Sequence, residues 1–313
     1  MATIRIHHTF PAPTCQSTNA KVYRVSVCDL SSLLQCSYRS GLLLIQSLLP
    51  KQTQWALLSR LLHDALADRR HKTNVNAHYD LPYDLLGTGK NTETTHGGAS
   101  TQMQRARSSF FSISPNSKDL IQPLNSTIHK PYTLSQFLCK KLRWIDLGGQ
   151  YDWTEKIYHT ENAPPFPSDI AKLLRSFFPN THSEVAIVNV YSPGDTLSIH
   201  RDVSETSTNG LISVSLGCDG IFIVGLKGED GQMNNVAIRL RSGDAIYMSR
   251  SARYAWHGVP QIIPGTCPAY LSDWPAKSPS KMAPVEVKES NYEAWRGWMS
   301  TKRINLNIRQ LNP

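Results

Sequence analysis

The stretch RINLNIR, Arg303–Arg309, alternates strictly between polar and apolar side chains. Such alternation is typical of a β-strand, because successive side chains of a strand point to opposite faces. Two arginines and two asparagines share one face, and Ile304, Leu306 and Ile308 share the other. Arginines on the interior face of a barrel need anionic partners, because a buried unpaired charge is costly. A small dicarboxylate would supply two such partners; the alternative is an edge strand with both arginines in solvent.

Five short segments before this stretch are rich in β-branched residues and are separated by Gly, Asp or Asn. They are VAIVNVY (185–191), ISVSL (212–216), IFIVGL (221–226), VAIRL (236–240) and AIYM (245–248). Helical periodicity precedes them at residues 53–70 and 168–177. Short strands at this density indicate an antiparallel barrel or sandwich. The predicted class is therefore α+β, with helices packed against a β-roll.

Length and composition place the chain among ordinary globular proteins. It has 313 residues, of which 40% are hydrophobic, and this excludes a collagen, a coiled coil and a small disulfide scaffold. The longest apolar run, GLLLIQSLLP at 41–50, is half of the roughly 20 residues that a bilayer requires, so no membrane is expected.

The targeting signals are weak. The six cysteines form no C-x-x-C pair, which favours a reducing compartment, the nucleus or the cytoplasm. Residues 1–28 lack acidic side chains, and import into the mitochondrion is therefore the alternative location.

The formal net charge of +9 favours a polyanionic partner such as nucleic acid. Residues 87–141 contain seven basic and two acidic residues, a net charge of +5, and residues 87–117 are rich in Gly, Ser, Thr and Asn. We predict a basic flexible segment that guides the substrate strand; a solvated linker is the alternative. The chain is thus expected to comprise an N-terminal extension with an amphipathic helix (1–86), this segment (87–141) and a catalytic domain (142–313).

Two histidines and one aspartate form a candidate metal site. SIHRD (198–202) contains His200 and Asp202, which would share one face of a strand, and AWHGVP (255–260) contains His257. Two imidazoles and one carboxylate on one face leave open positions on an octahedral metal, as in non-haem Fe(II) oxygenases. Zinc-dependent hydrolysis on the same three ligands is the alternative.

These motifs together resemble one family. The order N-x-Y, H-x-D, H and R-x-N-x-x-x-R resembles the AlkB-like Fe(II)/2-oxoglutarate dioxygenases, most closely the eukaryotic AlkB homologue 1 branch. LRWIDLGGQYDW (142–153) and SGDAIYMS (242–249) extend the resemblance, which spans residues 142–311. It implies a double-stranded β-helix core, a jelly-roll or cupin-like fold, buttressed by helices.

The resemblance also implies roles for individual residues. The Fe(II) ligands would be His200, Asp202 and His257. The distal carboxylate of 2-oxoglutarate would be held by Arg303, Asn305 and Tyr191, and the iron-chelating end by Arg309 and Asn189. The substrate would meet Trp144, Tyr151, Ser204 and Glu205, beside phosphate contacts from Lys140, Lys141 and Arg143. Many members have an acidic residue at the position of Ser204, and without the resemblance Trp144 would be an ordinary core tryptophan.

The implied activity is oxidative demethylation of N-methylated nucleobases with Fe(II), 2-oxoglutarate and O₂. The expected substrate is methyladenine, including N6-methyladenine, in DNA or tRNA, and the products are formaldehyde, succinate and CO₂. One alternative is a 2-oxoglutarate-dependent hydroxylase or demethylase of protein side chains such as those of histones. The other is a non-catalytic RNA-binding module that keeps the fold.

Overall fold

The computed structural model describes residues 21–22, 41–86, 109–227, 233–276 and 292–313. The first strands and helices of this described part are β1 (Lys21–Val22), β2 (Leu42–Ile45), α1 (Lys51–Ser59), β3 (Tyr79–Asp80), β4 (Leu120–Pro123), β5 (Tyr132–Thr133), α2 (Leu134–Gln136), β6 (Trp144–Gly148), β7 (Gln150–Asp152), β8 (Ile157–His159) and α3 (Ser168–Phe177). They are followed by β9 (Val185–Tyr191), β10 (Leu197–His200), β11 (Leu211–Gly217), β12 (Gly220–Lys227), β13 (Met233–Leu240), β14 (Ala245–Met248), β15 (Trp256–Ile262), α4 (Ala269–Ser272) and β16 (Arg303–Arg309). Short π-helical segments continue α1 and α2, at Arg60–Ala65 and Phe137–Lys141.

Two large sheets dominate the described residues. One has the strand order β1-β13-β12-β15-β10, and the other has the order β2-β14-β11-β16-β9-β6. All pairings in the two sheets are antiparallel except that of β1 with β13. This arrangement of helices with antiparallel sheets confirms the predicted α+β class.

The outer face of the six-stranded sheet is apolar and packs against the helices. Ile304, Leu306 and Ile308 of β16 are fully buried there, with Leu58 and Leu61 from α1 and its continuation in the same core cluster. The helical periodicity predicted for residues 53–70 is therefore observed, although the helix begins at Lys51 and becomes π-helical at Arg60. Burial of apolar surface on this face is the main driving force for joining the helices to the sheet.

The inner face of the same sheet carries the polar residues. In register, Arg303 pairs with Tyr191 and Asn305 pairs with Asn189, so their side chains share one face. A second core cluster fills part of the space between the sheets, with Phe222 and Ile262 from one sheet and Leu211 and Ile246 from the other. β16 is a central strand, so the alternative of an edge strand with solvent-exposed arginines is wrong.

Residues 109–141 of the predicted flexible segment are described by the structure, and some of their side chains are buried. Residues 87–108 lie outside the described residues, but Phe110 and Phe111 beyond them are both fully buried. The Phe111 ring makes edge contacts with Trp295 and Trp298, at centroid separations of 5.5 and 5.1 Å. The apolar side chains of this stretch join the main core, whereas most of the residues from 112 to 131 are exposed or half-buried. The core members are Phe110, Phe111, Ile121, Tyr132, Leu134, Phe137 and Leu138. The boundary at residue 142 stays a prediction.

Among the described residues, none of the helices has the length and hydrophobicity needed to cross a bilayer.

Candidate active site

The three predicted metal ligands converge at the ends of two neighbouring strands. His200 ends β10 and pairs in register with His257 of β15. Asp202 Oδ1 lies 3.7 Å from His200 Nε2, and Asp202 Oδ2 lies 3.5 Å from His257 Nε2. The sequence predicts that His200 and Asp202 lie on the same strand. In the structure the strand ends at His200, and Asp202 lies in the loop that follows it. The loop nevertheless directs its carboxylate towards both imidazoles.

Backbone carbonyls orient both imidazoles. The Nδ1 of His200 donates to Ser198 O at 2.8 Å, and the Nδ1 of His257 donates to Ala255 O at 3.0 Å. This tautomer leaves each Nε2 lone pair free for a metal ion, which is the usual arrangement of metal-binding histidines. Burial lowers the pKa of His200 and so favours the neutral, ligating form.

Asp202 is held as a carboxylate. Burial opposes its ionisation, but the Arg309 guanidinium, at 2.9 Å from Oδ1, outweighs burial together with the two imidazoles. The pKa of Asp202 therefore lies well below its usual range. Two imidazoles and an ionised carboxylate, with all ligand atoms within 4.8 Å of one another, suit Fe(II).

Arg303 forms the base of an adjoining polar pocket. Its side chain is fully buried, and Nη2 donates to Ser215 Oγ at 2.8 Å while Nη1 donates to Cys218 O at 3.3 Å. Two neighbouring buried atoms, Arg303 Nε and Tyr191 OH, have no hydrogen-bond partner within the described residues. A carboxylate of a bound dicarboxylate would satisfy both atoms, so the residues present fit 2-oxoglutarate.

Asn305 and Gly220 complete this pocket. Asn305 Nδ2 donates to Ser213 Oγ at 2.8 Å, which fixes the amide on the inner face. A Cβ at Gly220 would lie 2.7 Å from Arg303 Nε, so the missing side chain gives the guanidinium its space. Asn189 lies opposite Asn305 in register on the same face. The structure thus groups Asn189, Tyr191, Arg303 and Asn305, as the sequence predicts.

Arg309 and Glu205 belong to a buried chain of ion pairs. Besides Asp202, Arg309 contacts Glu205 Oε1 at 3.1 Å, and Arg253 Nη2 donates to Glu205 Oε2 at 2.7 Å. Arg253 Nη1 also donates to the Asp202 carbonyl at 2.8 Å. The side chain of Glu205 is only 1% exposed, so the structure does not give it the substrate contact predicted from the sequence. Both of its oxygens are occupied by guanidiniums, and it supports the metal-ligand loop.

Sequence reasoning missed Arg253. It lies in the 3₁₀ turn Arg250–Tyr254, four residues before His257, and its side chain is 2% exposed. Irregular segments carry no periodicity, so no pattern marks this arginine as buried. The only available signal is its short spacing from a predicted metal ligand.

An aromatic group borders the metal site. Tyr151 on β7 contacts Trp153 and Tyr158, at centroid separations of 4.9 and 4.8 Å, and Trp153 lies 5.4 Å from Trp144. Tyr151 OH and Ser204 Oγ are 3.1 Å apart, which links this group to the loop after Asp202. The structure therefore brings three predicted substrate residues, Trp144, Tyr151 and Ser204, to one border of the site. The sequence had not singled out Trp153, which is 50% exposed, or Tyr158.

The predicted phosphate contacts lie next to this group. Lys140 and Lys141 are exposed at the end of the π-helical segment Phe137–Lys141. Arg143 is also exposed but forms an ion pair with Asp195. Two of the three predicted cations therefore keep solvent-facing ammonium groups.

Comparison with known proteins agrees with this geometry. The family model described as the 2OG-Fe(II) oxygenase superfamily matches residues 100–309. The chain is 44% identical to the N6-methyladenosine RNA demethylase ALKB1 of Pyricularia oryzae, over 87% of this chain and 74% of that protein. It is also 44% identical to the N6-methyladenosine RNA demethylase ALKBH of Cryphonectria parasitica, over 76% of this chain and 99% of that protein.

A third relative is the tRNA demethylase abh1 of Schizosaccharomyces pombe, which is 34% identical over 87% of this chain and 80% of that protein. The matched residues include all three candidate metal ligands, Arg303 and Arg309. The chain therefore belongs to the 2OG-Fe(II) oxygenase superfamily, in its AlkB homologue 1 branch, and uses Fe(II), 2-oxoglutarate and O₂.

Proposed function

We propose that this chain is an oxidative demethylase of N-methylated adenine in nucleic acid, and that its preferred substrate is N6-methyladenosine in RNA. The main support for this proposal is the aromatic group next to the metal site. Its Tyr151 hydroxyl is hydrogen-bonded to Ser204, two residues after the ligand Asp202. Aromatic faces suit bases, and stacking contributes about 1–3 kcal/mol for each base. The names of two relatives support N6-methyladenosine in RNA, and the name of the third supports tRNA as a substrate.

The chain's own residues bind and orient the reactants in this proposal. Fe(II) is held by His200, Asp202 and His257, and 2-oxoglutarate by Arg303, Tyr191, Asn305 and Asn189. Arg309 serves the end of the cosubstrate near the iron and, through Asp202, keeps the ligand carboxylate ionised. When bound, iron and 2-oxoglutarate supply oxidation of a methyl group by O₂, with release of succinate, CO₂ and formaldehyde.

The target base leaves its stack to reach this site. Flipping a nucleotide costs a few kcal/mol, and less in a single strand. Trp153, half exposed at the border, offers a face for the extruded base, while Lys140 and Lys141 offer charge for the phosphates on either side. The predicted division into residues 1–86, 87–141 and 142–313 would place the basic segment next to this border.

The two large sheets also support a finer description of the fold. We propose that they form the double-stranded β-helix, or jelly roll, implied by the sequence. A shared core cluster between the sheets and polar residues on the inner face support this description.

The proposal is tested by measuring succinate and formaldehyde with three substrates: RNA containing N6-methyladenosine, the same RNA unmethylated, and a methylated histone peptide. Stimulation by methylated RNA is expected, with formaldehyde equal to the methyl groups lost. Asp202→Ala should abolish both products, whereas Asp84→Ala, at a 99% exposed carboxylate, should not. Stimulation by the peptide alone would overturn the proposal in favour of a protein demethylase. RNA binding without turnover would identify a non-catalytic module.

A further inference from the structure

One buried carboxyl group at the site has no role in binding iron or cosubstrate. Asp146 lies in the middle of β6, and its register opposite Ile187 places it on the inner face of the six-stranded sheet. It is 1% exposed. The other face of β6 carries Ile145 and Leu147, which are fully buried in the main core. A carboxyl group in such a strand is costly unless the site uses it.

The hydrogen bonding of Asp146 is half complete. Oδ2 accepts a hydrogen bond from Tyr151 N at 3.2 Å. Oδ1 is buried and has no partner within the described residues. Most buried polar atoms in folded proteins are satisfied, so an unsatisfied oxygen on the sheet face that carries Asn189 and Tyr191 points to a ligand that completes it.

Asp146 lies beside the proposed substrate pocket. The backbone of Tyr151 holds its Oδ2, and the hydroxyl of the same tyrosine contacts Ser204 in the loop after the metal ligand Asp202. The electrostatic neighbours of Asp146 include Arg309 on β16 and Tyr158 on β8. A base admitted between the aromatic side chains and the iron would therefore pass next to Asp146 Oδ1.

The surrounding charges leave Asp146 without an ion-pair partner. Asp202 and Glu205 are bound to Arg309 and Arg253, so these two carboxylates and two guanidiniums balance each other. His71, whose ring interacts with the backbone of Asp146, has a pKa lowered by burial and is neutral. No described arginine or lysine forms an ion pair with Asp146 itself, and burial raises its pKa to about 7. Below pH 7, the carboxyl group is therefore mainly a neutral acid that can donate from Oδ1.

We infer that Asp146 is a specificity-determining residue that donates a hydrogen bond from Oδ1 to a ring nitrogen of a neutral N6-methylated adenine. This inference rests on the proposed function and names the substrate class of the same site. N6-Methyladenine is uncharged and its ring nitrogens accept hydrogen bonds. 1-Methyladenine is a cation whose N1 is blocked, so an ionised Asp146 would attract it more strongly than a neutral acid would. The buried neutral acid therefore selects the N6-methylated base over the cationic base.

Two substitutions separate these roles. Asp146→Asn keeps the shape and supplies a neutral donor that does not titrate, whereas Asp146→Leu removes the donor. In the iron-loaded full-length protein with N6-methyladenosine RNA at pH 6, Asp146→Asn should keep kcat/KM within about threefold of the wild type. Asp146→Leu should lower kcat/KM about 10-fold, because the base nitrogen is left unsatisfied. Binding of 2-oxoglutarate, measured by calorimetry with Mn(II), should be unchanged in both variants and shows that each is folded.

The pH dependence of kcat/KM distinguishes hydrogen-bond donation by Asp146 from a purely structural role. The ratio of kcat/KM between wild type and Asp146→Asn should fall as pH rises above about 7, because only the wild type loses its donor there. Groups common to both proteins cancel in this ratio. A ratio that is constant or rises with pH would overturn the inference, as would a wild type that prefers 1-methyladenine and loses it in the Asn variant. If no methylated oligonucleotide stimulates the wild type at any pH, the proposed function itself fails, whatever the variants show.

Discussion

Asp146 also makes the stability of the fold depend on pH, and this dependence can be measured without any substrate. Burial raises the pKa of its carboxyl group from 3.8 to about 7. The folded state therefore holds a proton that the unfolded state releases. The stabilising effect is complete below pH 3.8 and is lost as pH rises through about 7. The difference between a pKa of 3.8 and one of about 7 corresponds to roughly 4 kcal/mol in the free energy of unfolding.

Asp146→Asn removes this titration while keeping the shape of the side chain. Between pH 5 and pH 8, the free energy of unfolding of the variant should rise relative to that of the wild type by roughly 2.5 kcal/mol, most of it below pH 7. Any offset from the amide itself is the same at every pH and does not affect this trend. Urea denaturation of the metal-free protein, followed by tryptophan fluorescence, provides the measurement.

A matched control uses Asp84, whose side chain is 99% exposed. Asp84→Asn should show no trend relative to the wild type over the same pH range, because a fully exposed side chain has nearly the same solvent surroundings in the folded and unfolded states. If the difference between Asp146→Asn and wild type stays constant from pH 5 to pH 8, Asp146 is ionised in the fold. The neutral-donor argument would then be refuted.

Three further predictions concern the remaining parts of the site. Arg303→Lys keeps the charge but loses the planar fork, so the Kd for 2-oxoglutarate, measured by calorimetry with Mn(II), should rise about 10- to 100-fold; an unchanged Kd would exclude Arg303 from the cosubstrate pocket. Arg253→Met leaves Glu205 with one of its two guanidinium partners, and urea denaturation should show a loss of about 3–5 kcal/mol, part of which Glu205→Gln restores in the double variant. Trp153→Ala should weaken binding of methylated RNA by about 1–3 kcal/mol in fluorescence anisotropy while leaving the Kd for 2-oxoglutarate unchanged; equal weakening of both would indicate a structural defect.

The regular part of the fold follows from the sequence because strands have a period. VAIVNVY and RINLNIR predict β9 and β16 with their observed bounds, and the alternation in β16 identifies the inner and outer faces. Both strands are interior strands of their sheet with both faces buried. β9 is accordingly a nearly continuous apolar run, whereas β16 alternates because its inner face carries polar residues of the site. Two of the metal ligands, His200 and Asp202, are recognisable in the sequence because they are only two residues apart.

The irregular and long-range parts could not be predicted in this way. Arg253 contacts Glu205 across 48 residues of sequence, from a 3₁₀ turn that has no repeating pattern. Phe111 is concealed in a polar stretch, and its partners Trp295 and Trp298 lie near the other end of the chain. Asp146 did leave a signal, a single acid between apolar residues in WIDLG. A count of charged residues does not distinguish Asp146 from the exposed acids, and only the structure shows that it is buried.

The buried atoms that lack hydrogen-bond partners show that the two faces of the six-stranded sheet have different roles. The described residues contain eleven buried side-chain nitrogen and oxygen atoms without a hydrogen-bond partner, and seven belong to Asp146, Tyr191, Asp202, Arg303, Asn307 and Arg309. Such atoms are normally rare, because each one left unsatisfied costs about 1–3 kcal/mol. These atoms are concentrated on the inner face, and the outer face of the same sheet is apolar. Burial of the outer face in the core therefore offsets the free-energy cost of the unsatisfied atoms on the inner face. Iron and 2-oxoglutarate would satisfy the atoms near Asp202 and Arg303. The oxygens of Asp146 and Asn307 are not among the atoms near these two groups, and Asp146 lies on β6, the strand that begins with Trp144 of the aromatic group. We therefore assign the Asp146 oxygen to the base.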